Sequence, residues 1–146
     1  MTLLELSLWS WPIMAALMLA LWGLQVRSRN AGTVDVAWAF GTGLVGIGFA
    51  LGAAGGLDQR QWLLAVLIAL WGGRLGWYLF VRVRAESEDG RYRHLREHLG
   101  GKVQPAMFVF FQVQALWALL FALPIWAAAA TSSQGLDWTN TLNILI

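Results

Sequence analysis

A chain of 146 residues is long enough for one domain, but 58% of it is hydrophobic and only 12% charged, about half the charge of an ordinary soluble domain. Its ten Lys/Arg and eight Asp/Glu leave a net charge of +2 and fall in short gaps between long apolar runs, the pattern of a multi-span membrane chain with the lipid bilayer as solvent. The absence of cysteine excludes disulfides, thiolate metal sites and thiol nucleophiles, and nothing points to nucleic acid as a partner.

The first apolar run, residues 3–26, carries Glu5 alone near its start, and Pro12 is tolerated in a spanning helix by neighbouring helices. It has no basic stretch ahead of it and no small-residue cleavage site behind it, so it reads as a retained helix and not a signal peptide. A polar hinge, Arg27-Ser28-Arg29-Asn30, leads to a second run over 33–55, apolar apart from Asp35. The third span, 61–81, is interrupted by Arg74. Between 82 and 104 the composition changes: Arg82, Arg84, Arg91, Arg93, Arg96 and Lys102 alternate with Glu86, Glu88, Asp89 and Glu97. Pro105 suits the first position of a fourth span, 105–130, which contains Gln112 and Gln114. Residues 131–146 start polar and turn apolar at the end, as the beginning of a fifth helix would. The predicted fold is therefore all-α: a single membrane domain of four transmembrane helices, the start of a fifth, and one long water-facing loop.

Arg27 and Arg29 precede the second span and six basic residues follow the third, whereas the intervening loop carries Arg60 alone. The positive-inside rule then puts loops 27–32 and 82–104 in the cytoplasm and both termini outside.

Asp35 and Arg74 fall within spans, where an ionisable side chain costs a few kcal/mol or more unless paired or hydrated. Both lie toward the same membrane face, so a salt bridge between them is expected to be feasible. At helical spacing Asp35, Trp38 and Thr42 share a stripe on one helix, and Trp71, Arg74, Tyr78 and Arg82 share another. With Gln114 at comparable depth, these would line a polar cavity opening to the cytoplasm. The plainer reading is that Asp35 and Arg74 staple two helices together.

Gly41, Gly43 and Gly46 spell the GxGxxG of dinucleotide-binding loops, but that fingerprint needs a strand before it and a helix after it. Here it lies inside one apolar helix. Gly48, Gly52 and Gly56 continue at four-residue spacing, so a small-residue ridge for close helix packing explains it better. In the loop, Gly90 precedes a short amphipathic helix with Tyr92, Leu95 and Leu99 on one face, suited to a membrane surface. Its arginines with Tyr92 could hold the phosphates of a nucleotide or meet anionic lipid. His94 and His98 are four apart, but without a third ligand they make a weak metal case, and no metal is expected.

Three strings carry a resemblance over most of the chain, from about Asn30 to the end of the fourth span. They are Thr33-Val34-Asp35-Val36-Ala37-Trp38, Trp71-Gly72-Gly73-Arg74, and above all Glu88-Asp89-Gly90-Arg91-Tyr92-Arg93-His94-Leu95-Arg96-Glu97. The aromatic-rich helix through Gln112 and Gln114 to Leu123-Pro124 follows them. They resemble a bacterial membrane family catalogued as a domain of unknown function and similar to the steroid 5-alpha-reductases. The resemblance implies a bacterial inner-membrane reductase that binds NADPH on its cytoplasmic side and reduces a carbon–carbon double bond conjugated to a carbonyl in a lipid-like substrate. It implies Asp35 and Tyr78, on the second and third helices, as the catalytic carboxylate and tyrosine. Trp38, Arg74, Arg82, Arg91, Tyr92, Arg96 and Gln114 would bind substrate or cofactor.

Family members continue into further helices with a His-Pro-Asn-Tyr type element, absent here. The expectation is half a site, completed by a missing C-terminal portion or another membrane subunit, and no NADPH turnover by this chain alone. Isoprenylcysteine carboxyl methyltransferases look similar in helix packing and would take S-adenosylmethionine instead. A non-enzymatic membrane scaffold is the third reading.

Overall fold

The computed structural model describes residues 1–53, 58–86 and 88–131, and these are helical almost throughout. Four long helices, α1 (Leu3–Ser28), α2 (Thr33–Gly52), α3 (Gln59–Ala85) and α5 (Val103–Ala130), are joined by short connections, with the ten-residue α4 (Gly90–Leu99) and a single 3-10 turn (Gly100–Lys102) between α3 and α5. All four long helices are long and apolar enough to cross a membrane. The expected fifth helix lies outside the described residues.

Local chemistry sets the boundaries. Thr2 caps α1 by accepting from the Glu5 amide while the Glu5 carboxylate accepts from the Thr2 amide, and Asp58 with Gln61 repeats that reciprocal box at α3. The α1 helix ends on Arg29 in the left-handed conformation (φ 53°), its amide donating to the Gln25 carbonyl. Pro105 falls in the first turn of α5, two residues inside the observed start at Val103, where its missing N–H leaves no intrahelical bond unmade. The third span runs four residues past the apolar limit at 81, carrying Arg82 and Arg84 in its last turn, where cations suit the negative end of the helix dipole.

The most buried of the long helices is α2. It packs mainly against α3 and α5, while α1 covers α5 and the remaining side of α2. The core runs through Met14, Met18, Val45, Phe49, Met107, Phe111 and Ala115. The glycines of α2 act as the packing reading expects. A Cβ on Gly72 of α3 would lie 2.9 Å from the Gly43 Cα, so these two helices cross with their backbones in contact, and the faces of Gly41 and Gly46 are filled by Met14 and by Ile68 with Ile125. Gly48 departs from the expected ridge: a Cβ there would meet nothing. Gly52 packs on Leu6, and Gly56 is outside the described residues.

The end of α1, the start of α2, the end of α3, all of α4 and the start of α5 gather at one end of the bundle. Most of the charged residues collect there, and this end is called the basic face below.

Candidate functional site

Asp35 stands in the first turn of α2, and its partners come from α4. The Tyr92 hydroxyl donates to Asp35 Oδ1 at 2.8 Å, and Arg91 Nη2 donates to Oδ2 at 3.0 Å. This overturns the expected pairing of Asp35 with Arg74. The reason lies in the phase of α3: Gly72 and Gly76 are the residues turned toward α2, which swings Arg74 to the exposed outer side. Tyr78 goes with it, 61% exposed, so the tyrosine on Asp35 is Tyr92 and not Tyr78.

The α4 helix forms because Asp89 caps it, accepting from the Arg91 amide at 2.9 Å, and because one face of it is apolar. Tyr92 is buried at 3% exposure in the core, edge-on to Phe110 with ring centroids 5.8 Å apart. Leu95 packs beside it. The predicted amphipathic helix is thus present and turned onto the bundle. Asp89 also gathers the cations: Arg91 Nε lies 3.1 Å from it and Arg82 Nη2 3.3 Å, while Arg82 Nε reaches Glu86 at 3.1 Å. Hydrogen bonds from the Arg91 side chain and amide hold the Asp89 carboxyl below the usual carboxylate range. Asp35, Asp89, Arg82, Arg91 and Tyr92 therefore form one connected network. Beside it a cavity of about 20 Å³ is lined by Asn30, Asp35, Leu79, Val83 and their neighbours, room for about one water.

A second network lies next to the first. Arg96 forks onto Glu88, with Nε 3.0 Å from Oε2 and Nη2 3.0 Å from Oε1, and Glu88 Oε1 also accepts from the Ala31 amide at 2.9 Å. Arg96 Nη2 donates to Gln25 Oε1 at 2.7 Å, and Gln25 Nε2 donates to Gln104 Oε1 at 2.8 Å. One side chain of α4 thereby ties together the ends of α1, α2 and α5. Gln25, Glu88 and Gln104 escaped sequence reasoning. The available signal was a lone glutamine at the end of an apolar helix, since a buried amide at such a place needs a polar partner.

Trp38, one turn above Asp35, packs edge-on to Trp71 and Phe121 at 6.4 and 5.6 Å, and its indole N–H has no partner among the described residues. Thr42, a further turn along, is buried with its hydroxyl likewise unpartnered. The predicted stripe Asp35, Trp38, Thr42 is therefore real and carries unused donors. The other stripe is split. Arg82 turns to the basic face, whereas Trp71, Arg74, Leu75 and Tyr78 line a separate groove of about 310 Å³ on the outside of α3. Gln114 is half-buried on α5 and joins neither network. His94 and His98 stack with ring centroids 3.8 Å apart, and among the described residues no group of three His, Cys, Asp or Glu could hold a metal.

A family model described as a protein of unknown function (DUF1295) matches residues 21–146. No curated protein matches the chain, and no solved structure does.

Proposed function

The chain belongs to the DUF1295 family, and from that membership together with the Asp35–Tyr92 pair we propose that it forms part of a membrane-embedded, NADPH-dependent reductase acting on a C=C bond conjugated to a carbonyl in a lipid-like substrate. The basic face would be cytoplasmic, in a bacterial inner membrane. The observation that carries the reading is the buried Tyr92 hydroxyl held 2.8 Å from Asp35.

Reducing such a bond builds negative charge on the carbonyl oxygen, and a donor already aimed at that oxygen stabilises the transition state. Tyr92 Oη carries one proton, given to Asp35 Oδ1 in the resting site; with a carbonyl oxygen in reach the hydroxyl would turn to donate to it, while Arg91, bonded to the other carboxylate oxygen, holds Asp35 in place. The small cavity beside Asp35, lined also by Leu79 and Val83, admits a carbonyl oxygen but no ring or chain, so the substrate skeleton would lie outside it. The free indole N–H of Trp38 supplies a further donor on the same stripe.

NADPH when bound would supply the hydride. The donor set suits its phosphates in part. Arg91 is 68% exposed despite its two carboxylate partners, and Arg93 is exposed on the same helix with no carboxylate partner among the described residues. Arg96 gives its donors to Glu88 and Gln25, so in this reading it positions α4.

The test is a thermal-shift titration of the chain in lipid nanodiscs with NADPH and with S-adenosylmethionine. A saturable shift with NADPH, weakened by Arg91→Ala, is the expected result. A shift with S-adenosylmethionine instead would indicate a methyltransferase, and a response to neither would leave the scaffold reading standing.

A further inference from the structure

Arg74 is placed where a cation is expensive. The apolar stretch of α3 covers residues 61–81, so Arg74 lies thirteen residues from one end of it and seven from the other, about 20 and 10 Å along the axis at roughly 1.5 Å per residue. It is exposed on the outer side of the bundle, and among the described residues it makes no hydrogen bond or ion pair. Around it Trp71, Leu75 and Tyr78 shape a groove of about 310 Å³, with Trp71 42% and Tyr78 61% exposed. A guanidinium on the outer side of a span, without a partner among the described residues, costs a few kcal/mol or more, and such residues pair or mark function.

We propose that this outer face of α3 is a docking face for a transmembrane helix that carries a carboxylate at the level of Arg74. Depth selects a helix over a lipid headgroup. The phosphates of a bilayer lie outside its roughly 30 Å core, so a guanidinium whose Cα lies about 10 Å inside the apolar stretch reaches them only with its stem fully extended by snorkelling. A carboxylate borne by a neighbouring helix meets the guanidinium where it stands, and the Arg fork matches it with two donors. The two aromatic rings wall the pair off from lipid.

A second copy of the chain does not fit the role. Among the described residues its span-borne acids are Asp35, already held by Tyr92 and Arg91, and Glu5, held in the cap of α1. This inference does not rest on the reductase reading.

The probe is a synthetic leucine-alanine transmembrane peptide with a single central Glu, compared with the same peptide bearing Leu there. Association with the labelled chain is read by energy transfer in zwitterionic vesicles. The Glu peptide should bind about three- to thirtyfold more tightly than the Leu peptide, and Arg74→Leu should abolish the difference. Arg74→Glu should reverse it in favour of a peptide with a central Arg, a rescue that misfolding would not produce. Equal binding of both peptides, or a preference that survives Arg74→Leu, overturns the proposal. So does loss of the preference when anionic lipid is added, which would make lipid the occupant, or energy transfer between copies of the chain that depends on Arg74.

Discussion

Replacing Glu88 by alanine removes the pin that holds α4 against α1 and α2. The carboxylate takes a two-point fork from Arg96 and a third bond from the Ala31 amide, with only 13% of the side chain exposed. Losing a charge-assisted fork costs about 1.5–3 kcal/mol, and an orphaned buried amide about 1–3 more. Ala31 is fully buried, so its amide N–H has no water to turn to. Arg96 is 21% exposed and keeps Gln25, which trims the sum to about 3 kcal/mol, or roughly a hundredfold in the local opening equilibrium. Trypsin reads that equilibrium when opening is fast relative to cleavage, and Arg91, Arg93 and Arg96 all lie in the released segment. Limited proteolysis in detergent should cut Glu88→Ala within this segment roughly a hundred times faster than the wild type. Glu88→Gln, which keeps one carbonyl acceptor, should fall between. Cleavage rates within threefold of the wild type would refute the idea that this carboxylate holds α4 to the bundle.

At the α2–α3 crossing, Gly72→Ala puts a methyl 2.9 Å from the Gly43 Cα and 3.2 Å from the Ala39 carbonyl. Both neighbours are backbone, so the helices must part. We expect about 1–3 kcal/mol of destabilisation, measured as the midpoint of SDS-induced unfolding in mixed micelles, while Gly48→Ala, which meets nothing, should not destabilise. Asp89 is held below the usual carboxylate range, so its contribution to the start of α4 is full above the unfolded value of about 3.9 and is lost as pH falls through the lower folded value. The NMR signal of the Arg91 amide, bonded to Asp89 Oδ1, should titrate with a midpoint below that value, and Asp89→Asn should remove the titration.

Most of the fold was legible because hydropathy over some twenty residues is set by the solvent and not by tertiary contacts. The runs 3–26, 61–81 and 105–130 each fall on a long helix of the structure, 33–55 overlaps α2 as far as Gly52, and the periodicity alone puts Tyr92, Leu95 and Leu99 on one face of α4. What the sequence hid was rotation. Depth along a helix can be counted, so Asp35 and Arg74 were rightly placed in their helices. The direction of Arg74, however, depends on how α3 turns to bring Gly72 against Gly43. For the same reason Tyr78 was expected beside Asp35. Tyr92 reaches Asp35 by a fold-back of α4 that no periodicity along α3 could reveal. Gln25 and Gln104, seventy-nine residues apart, meet only through the α1–α5 contact.

The central claim is that Tyr92, oriented by Asp35, polarises a conjugated carbonyl. Its most direct test is the infrared carbonyl stretch of a ¹³C=O-labelled lipid-like conjugated ketone bound to the chain in nanodiscs. In the wild type the band should move to lower frequency, as a strong hydrogen bond weakens the C=O bond, and it should move back toward the free position in Tyr92→Phe and, less completely, in Asp35→Asn. A band at the free ketone's frequency in the wild type, or a lowered band that Tyr92→Phe leaves untouched, would contradict it.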